Sequence, residues 1–421
     1  MLSRSLGVAL LLTTVGLTAV PPPVPPRPAA DAVGERPARP QGGAALDGGA
    51  DAGLVEAVAA RVRALAGAPR DPAAAGGRQE PRPEPELTVL RRAAGGWVFG
   101  SAVLVAPQRA EAYPDGWLFV ARPRGARWQV ALEGEADFGR LSRQAPVLEP
   151  AERSTLAELA GPRDPRAEAG RPDYRTGMRL PYGLKQRWRY TGGPHPMSGT
   201  ARSSIDLAGG DGRVRAAADG LAYSMCPRGR GWVRVVHDRG FATDYYHLEN
   251  GIRADGTRVD EGQVLGHIGN DVACGGRSTG KHVHFALRRG GRYVDIDRYS
   301  FGKWSIRAGA RAYDGFALHG STRVAVDGTL RNYGALGPTE GVVDTDGGGV
   351  LNRRSGPGTR YPVVGTVRDG ATVRIVCSAR GSRHAGRGGY RSDLWNKLAD
   401  GTWVADVYVW TGTGAPVNGY C

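Results

Sequence analysis

Cysteine is scarce in this chain, with 4 in 421 residues, and so are methionine (4) and phenylalanine (7). Cys226, Cys274, Cys377 and Cys421 form no C-x-x-C pair, which argues against the ordinary cysteine zinc sites. Acid is short of base: Asp and Glu number 41 against 56 Lys and Arg, a formal net charge of +15. Such a surface attracts polyanions: nucleic acid, anionic lipid, or anionic wall polymers. The basic residues are mostly arginines spread along the chain, with no compact tract, and that pattern speaks against a base-reading element and against nucleic acid as a partner. Long apolar runs are missing too. Gly7–Val20 is too short to span a bilayer comfortably, and no later segment is more apolar. There is no H-E-x-x-H, so a zincin helix is excluded.

Glycine (65) and proline (29) are plentiful, and apolar stretches alternate between turn residues, a pattern of β structure with long connections. Residues 1–30 read as a secretory signal: Arg4 supplies the positive flank, Gly7–Val20 the apolar segment, and Ala29-Ala30 a candidate cleavage site. A soluble protein without a membrane span, secreted and extracellular or associated with the cell wall, is expected. An even cysteine count in an exported chain fits two disulfides. Cys226 and Cys274 fall in one predicted domain and Cys377 and Cys421 in the next, which makes this the leading pairing of the three possible.

Residues 31–86 form a linker with one short helix, from Asp51 to about Ala66, where Leu54, Val55, Val58, Val62 and Leu65 recur at helical spacing. Residues 87–150 form a small α+β domain. Its segments 97–106, 116–123 and 126–134 are strand-like, the last two joined by an Arg-Gly hairpin signal. It holds no His or Cys, and its position suggests a pro-region. A linker is expected at 151–180, a main domain at 181–335 and a separate β domain at 341–421.

The chemistry concentrates in the main domain. In Lys281-His282-Val283-His284-Phe285 the strand period puts His282 and His284 on one face and Val283 and Phe285 on the other. Two imidazoles side by side hold a metal together, or one holds it while the other works on substrate. Upstream stand Gly192-Gly193-Pro194-His195, Ser204-Ile205-Asp206 and Asp244-Tyr245-Tyr246-His247-Leu248. In order, these segments resemble the motifs of lysostaphin-like (LytM-type, β-lytic) zinc endopeptidases, over roughly 185–300. Matched residue by residue, the resemblance implies Zn2+ held by His195, Asp206 and His284, with His247 and His282 as catalytic groups. The motifs do not say which of the two is the general base. Lys281 stands where the family usually has Pro and Pro196 where it has Gly, and no ligand is missing.

Two other patterns are set aside. Gly276–Gly280 matches G-x-S-x-G, but a strand pattern follows where that motif needs a helix. Gly275–Lys281 lacks the Ser/Thr of a phosphate loop, since His282 stands there. Tyr246 reads as a packing residue. His237, His319 and His384 read as structural or exposed, and His267 lies in a turn near the motifs.

The last segment has its own resemblance. Val350–Pro357, Pro362–Gly365, Leu394–Lys397 and Trp403-Val404 are similar to bacterial SH3-type domains, which implies a small barrel that binds cell-wall peptide. Trp395, Trp403, Tyr408 and Trp410 are candidates either for a stacking platform or for its core. The expected fold is mainly β: an antiparallel-sheet endopeptidase domain, a small N-terminal domain and a C-terminal SH3-like barrel. The expected protein is a monomer that acts on bacterial peptidoglycan, with anionic wall polymers as further partners. Two rival readings are a secreted protease of Gly-rich proteins and a non-catalytic wall-binding protein.

Overall fold

The computed structural model describes residues 52–67, 84–109, 112–161 and 172–421. The expected signal segment 1–30 and most of the expected linker 31–86 lie outside the described residues. Within them the chain is mainly β.

The central element is a nine-stranded sheet. Its strands run in the order Asp255–Val259, Gly220–Ser224, Val233–Val236, Phe241–Tyr246, Val283–Arg289, Ser204–Ala208, Arg187–His195 and Thr329–Arg331, with Arg292–Tyr293 paired to Val283–Arg289. Each pairing in this sheet is antiparallel. Both of its faces are covered, so the period-2 alternation of a half-exposed strand is absent from Phe241–Tyr246 and Val283–Arg289, every residue of which is buried. One face packs a core of Ile205, Leu207, Val233, Val235, Tyr245, Val283, Phe285 and Leu287. Val283, Phe285 and Leu287 therefore turn away from the histidine face, as the strand period requires.

The opposite face is covered by a smaller N-terminal layer. The strands Glu86–Ala93, Trp97–Leu104, Asp115–Arg124 and Arg127–Leu132 form a four-stranded antiparallel meander. Its last hairpin turns at Gly125-Ala126, with Gly125 in the left-handed region that a residue without Cβ tolerates. A helix, Ala52–Gly67, seals one side of the meander with Leu54, Val58 and Val62. The other side, with Phe99, Val103, Leu118 and Val120, joins a core that includes Tyr223, Trp232, Tyr246 and Ala286 of the central sheet region. Two more helices, Ala136–Gln144 and Pro150–Ala157, complete this layer. The second of them lies where the sequence reading expected a linker. It carries a capping box between Glu149 and Glu152, a polar signal that reads as linker composition until the fold buries Glu152.

The C-terminal part is a curled seven-stranded antiparallel sheet in the order Val363–Arg368, Val350–Arg354, Trp403–Ala405, Arg391–Leu398, Thr372–Ala385, Glu340–Val343 and Val409–Trp410. Both disulfides follow the domain-wise pairing, Cys226–Cys274 and Cys377–Cys421. The first ties the strand end after Ser224 to the loop before the histidine strand.

His237, at the end of Val233–Val236, is buried; its Nδ1–H donates to the Asp219 carbonyl at 2.8 Å and its Nε2 lies 2.8 Å from Thr243 Oγ1. Burial pushes this imidazole down to about 4. In the unfolded chain an imidazole takes up its proton near pH 6.5, while the buried one stays neutral to about 4. Stability contributed by the neutral form is therefore lost as pH falls through that window, by roughly 3 kcal/mol. Urea unfolding at neutral pH and near pH 4.5 is expected to show this loss, and His237→Gln to reduce it.

Candidate active site

The site is assembled by strand register. Tyr246 pairs with His284, His284 with Asp206, and Asp206 with Gly192, one row across four neighbouring strands. Residues opposite one another in neighbouring strands share a face, so the row projects one carboxylate and one imidazole side by side. His195 enters at the end of its strand, beyond two register shifts, opposite Ser204. His282 lies just before the strand, joined to Gly269 by a single bridge, so it is not a strand residue as the motif suggested. Its ring still faces the same cavity.

The glycines of Gly192-Gly193-Pro194-His195 have a steric reason. A Cβ on Gly192 would lie 2.6 Å from Asp206 Oδ2, and one on Gly193 would lie 2.7 Å from backbone atoms of Tyr313 and Asp314. The first glycine leaves room for the carboxylate. The second lets the loop carrying Tyr313 close over His195.

Three donor atoms converge. His195 Nε2 and His284 Nδ1 are 3.1 Å apart, and they lie 3.4 Å and 3.2 Å from Asp206 Oδ1. Around a tetrahedral ion with bonds of about 2.0–2.2 Å, ligand atoms stand about 3.3–3.6 Å apart, so this triangle is close to the right size for zinc. Asp206 Oδ1 is buried without a hydrogen-bond partner, as is His284 Nε2. An orphaned carboxylate oxygen in the middle of an imidazole cluster is what a cation would satisfy. The His195 Nδ1–H donates to the Gly193 carbonyl at 2.7 Å, which leaves Nε2 as the lone pair aimed at the cluster. Burial alone would raise the Asp206 carboxyl, but the neighbouring His195, with His284 and His282, holds it well below the usual range.

His247 and His282 face the triangle from one side, their rings 4.8 Å apart. Each has its Nδ1–H donated to a carbonyl, of Asp271 at 2.8 Å and of Gly280 at 2.6 Å. Both Nε2 atoms are therefore the basic ones, and that of His282 lies 3.6 Å from Asp206 Oδ1. Burial, and the charges of His282 and His284, push His247 down to about 3. Its Nε2 lone pair is therefore unprotonated near neutral pH. His247 also has a left-handed backbone (φ 66°), an uncommon state for a residue with a side chain and one that the surrounding contacts must hold. Tyr246 stacks on the His247 ring at 4.3 Å and donates its hydroxyl to the Gly275 carbonyl, a packing role.

Two tyrosines that the motifs gave no reason to select belong to the site. Tyr313 stacks on His195 with ring centroids 3.9 Å apart. Tyr113, from the N-terminal domain, lies 2.7 Å hydroxyl to hydroxyl from Tyr313 and faces His284. Both line the cavity of about 280 Å³ that holds Asp206, His247, His282 and His284. No local pattern marks them; tertiary packing alone brings them in. His267 is exposed on a strand edge, and His319 stacks on Tyr333, so neither joins the site.

Residues 200–296 match the family model described as Peptidase family M23. Protease LasA of Pseudomonas aeruginosa is 38% identical over 86 residues, which cover 20% of this chain and 21% of LasA. The match thus spans about a fifth of that relative. The beta-lytic metalloendopeptidase of Lysobacter enzymogenes is 29% identical over 153 residues, 32% of this chain and 83% of that protein. Among solved structures, that titled "A Novel M23 Metalloprotease Pseudoalterin from Deep-sea" has 31% identity and a TM-score of 0.34, covering 37% of this chain and 97% of that one.

A zinc titration against a chromophoric chelator separates the members of the cluster. His195→Ala, Asp206→Ala and His284→Ala are each expected to weaken binding at least about a hundredfold, and His282→Ala by far less.

Proposed function

With residues 200–296 a segment of peptidase family M23, we propose that the chain is an exported zinc metalloendopeptidase that hydrolyses peptide bonds in peptidoglycan stems or cross-bridges. The reading is carried by one observation: the triangle of His195, Asp206 and His284 donor atoms, with two imidazoles beside it whose Nδ1–H groups are anchored on carbonyls. In this proposal His195, Asp206 and His284 hold the metal. A zinc ion there supplies Lewis acidity, polarising a peptide carbonyl and acidifying water.

The chain's own residues do the rest. His247 and His282, each with Nδ1–H anchored on a carbonyl, present Nε2 to the reacting centre. One takes a proton from the attacking water and passes it to the leaving amine, and the other, once protonated, stabilises negative charge on the carbonyl oxygen. Tyr313, stacked on His195, keeps that ring in place and walls off solvent. The buried walls of the cavity lower the local dielectric and strengthen each of these interactions.

The peptidoglycan substrate rests on the motif resemblance and on the C-terminal part, which we propose is an SH3-type wall-binding module. Trp395, buried, and Tyr408, half-buried, both line a cleft of about 290 Å³ with Asn352, Arg354 and Thr359, which we propose as a place for wall peptide. The net charge of +15 favours anionic wall polymers nearby. Two disulfides suit an oxidising compartment.

Mass spectrometry of muropeptides released from purified sacculi tests the reading. Zinc-loaded, processed protein is expected to release peptide fragments with new amino termini, and a chelator to abolish them. Cleavage of a Gly-rich protein with sacculi left intact would favour the rival substrate. No cleavage of either substrate would remove the enzymatic claim.

A further inference from the structure

The sheet face that carries the metal-binding triangle continues beyond it. Along Val283–Arg289, the face of His284 is also that of Ala286 and Arg288. Across the sheet, Ala286 pairs with Asp244, and Asp244 with Arg234. Arg288 lies four residues from His284, about 13 Å along an extended strand. This stretch is the floor next to the reacting centre, and an extended peptide cut at His284 would run over it.

In this chain the floor is covered. Ala112, Tyr113 and Pro114 of the N-terminal domain line the metal-site cavity. Asp115 and Trp117 line a second cavity of about 280 Å³ that also includes Glu133, Ser198, Arg288 and Tyr293. Between them the Gly116 carbonyl accepts a hydrogen bond from Arg234 Nη1 at 3.1 Å, and a Cβ on Gly116 would lie 2.9 Å from Trp232. The segment thus runs from the histidines to the arginines as a peptide in a groove would.

The charges show what the floor is built to hold. Arg234 makes two bonds to the Asp244 carboxylate, at 2.8 and 2.9 Å, within the catalytic sheet. Arg288 has no carboxylate hydrogen-bonded to it from that sheet. Its Nη2 donates to the Gly291 carbonyl and to Glu133 Oε1, its guanidinium lies over the Tyr293 ring, and its Nε and Nη1 are buried without partners. Glu133 Oε1 also accepts from Arg234 Nη1, and Glu133 Oε2 has no partner. Glu133, Arg234 and Arg288 are all almost fully buried. Without the N-terminal domain, two guanidiniums would share the Asp244 carboxylate, leaving an excess positive charge on an open floor with guanidinium donors unused. Covering that charge is costly unless the cover brings a partner for it, and Glu133 is that partner.

We propose that Arg288, with Arg234, is a subsite for a free carboxylate of an extended peptide substrate, about four residues from the cleaved bond, and that Glu133 of the N-terminal domain occupies it as a built-in stand-in. The proposal rests on the peptidase reading for its substrate and adds its chemical class: a peptide bearing an anion, read by a fork of guanidinium donors. It also gives the N-terminal domain a task. Tyr113 covers the histidines while Glu133 fills the anion site, so both ends of the groove are closed at once.

Full-length protein tests it. Two dansylated peptides are compared, Gly-Gly-Gly-Gly-Glu-amide and Gly-Gly-Gly-Gly-Gln-amide, by fluorescence anisotropy in chelator, so that binding is read without turnover. Wild-type chain is expected to bind both weakly. Glu133→Gln removes the stand-in and is expected to bind the Glu peptide about tenfold or more tightly than the Gln peptide. Adding Arg288→Gln is expected to erase that preference. Equal binding of the two peptides by Glu133→Gln, or a preference that survives Arg288→Gln, overturns the subsite. Zinc-loaded Glu133→Gln is then assayed for cleavage: a Glu preference without cleavage of either peptide sinks the peptidase reading and leaves the subsite standing. If Glu133→Gln does not fold, hydrogen exchange of the wild-type chain decides. Millimolar Glu peptide is expected to speed exchange of the Gly116–Val120 amides several-fold over the Gln peptide, and equal rates with both overturn the proposal.

Discussion

The register between Ser204–Ala208 and Val283–Arg289 sets His284 opposite Asp206, and the rest of the site depends on it. A one-residue slip of Val283–Arg289 would turn His284 to the face opposite Asp206 and drive Val283 and Phe285 out of the core. The burial of those apolar side chains is therefore what positions the polar ones. The neighbouring pairing of Ser204–Ala208 with Arg187–His195 places Gly192 next in the row, where only a residue without Cβ leaves space for the Asp206 carboxylate.

Around this row, the backbone does most of the orienting. Carbonyls of Gly193, Asp271 and Gly280 each take the Nδ1–H of one histidine, so His195, His247 and His282 all turn Nε2 inward. A strand residue, Gly193, and two loop residues, Asp271 and Gly280, supply the acceptors, and the loop around Asp271 is held in turn by the Cys226–Cys274 disulfide and the Tyr246–Gly275 bond. Tautomer, ring direction and burial are thus consequences of one scaffold. The strained backbone of His247 is the local cost of reaching into the cavity from the end of a strand.

The covered face of the sheet explains a second feature. The two central strands, Phe241–Tyr246 and Val283–Arg289, are buried along their whole length, which an antiparallel sheet with one face in water does not show. Their second cover is a separate layer of the same chain, and its contact is both apolar, through Trp232 and Tyr246, and ionic, through Glu133. A further ionic contact joins Arg91 to Glu152 and Asp255, with Tyr223 donating to Glu152. Such paired, buried charges hold one orientation of the two layers.

Much of the reading was already legible along the chain. The period-2 alternation of Val283 and Phe285 with His284, the glycine pair before His195, and the even cysteines are local signals with local causes, and the disulfide pairing follows the last of them. Other parts carried no local mark. The helix Pro150–Ala157 reads as polar linker, because Glu152 looks solvent-facing until Arg91 and Tyr223 close over it. Tyr113 and Tyr313 stand 200 residues apart in a chain that gives neither a motif, yet their hydroxyls meet above the histidines. Glu133 is one acidic residue among 41. Side-chain periodicity and turn chemistry act over a few residues, so the sequence by itself determined the mainly β character and the face that His284 takes on its strand, opposite Val283 and Phe285. Which layer covers that face, and which charge fills Arg288, depends on contacts between distant segments, and only the tertiary structure decided it.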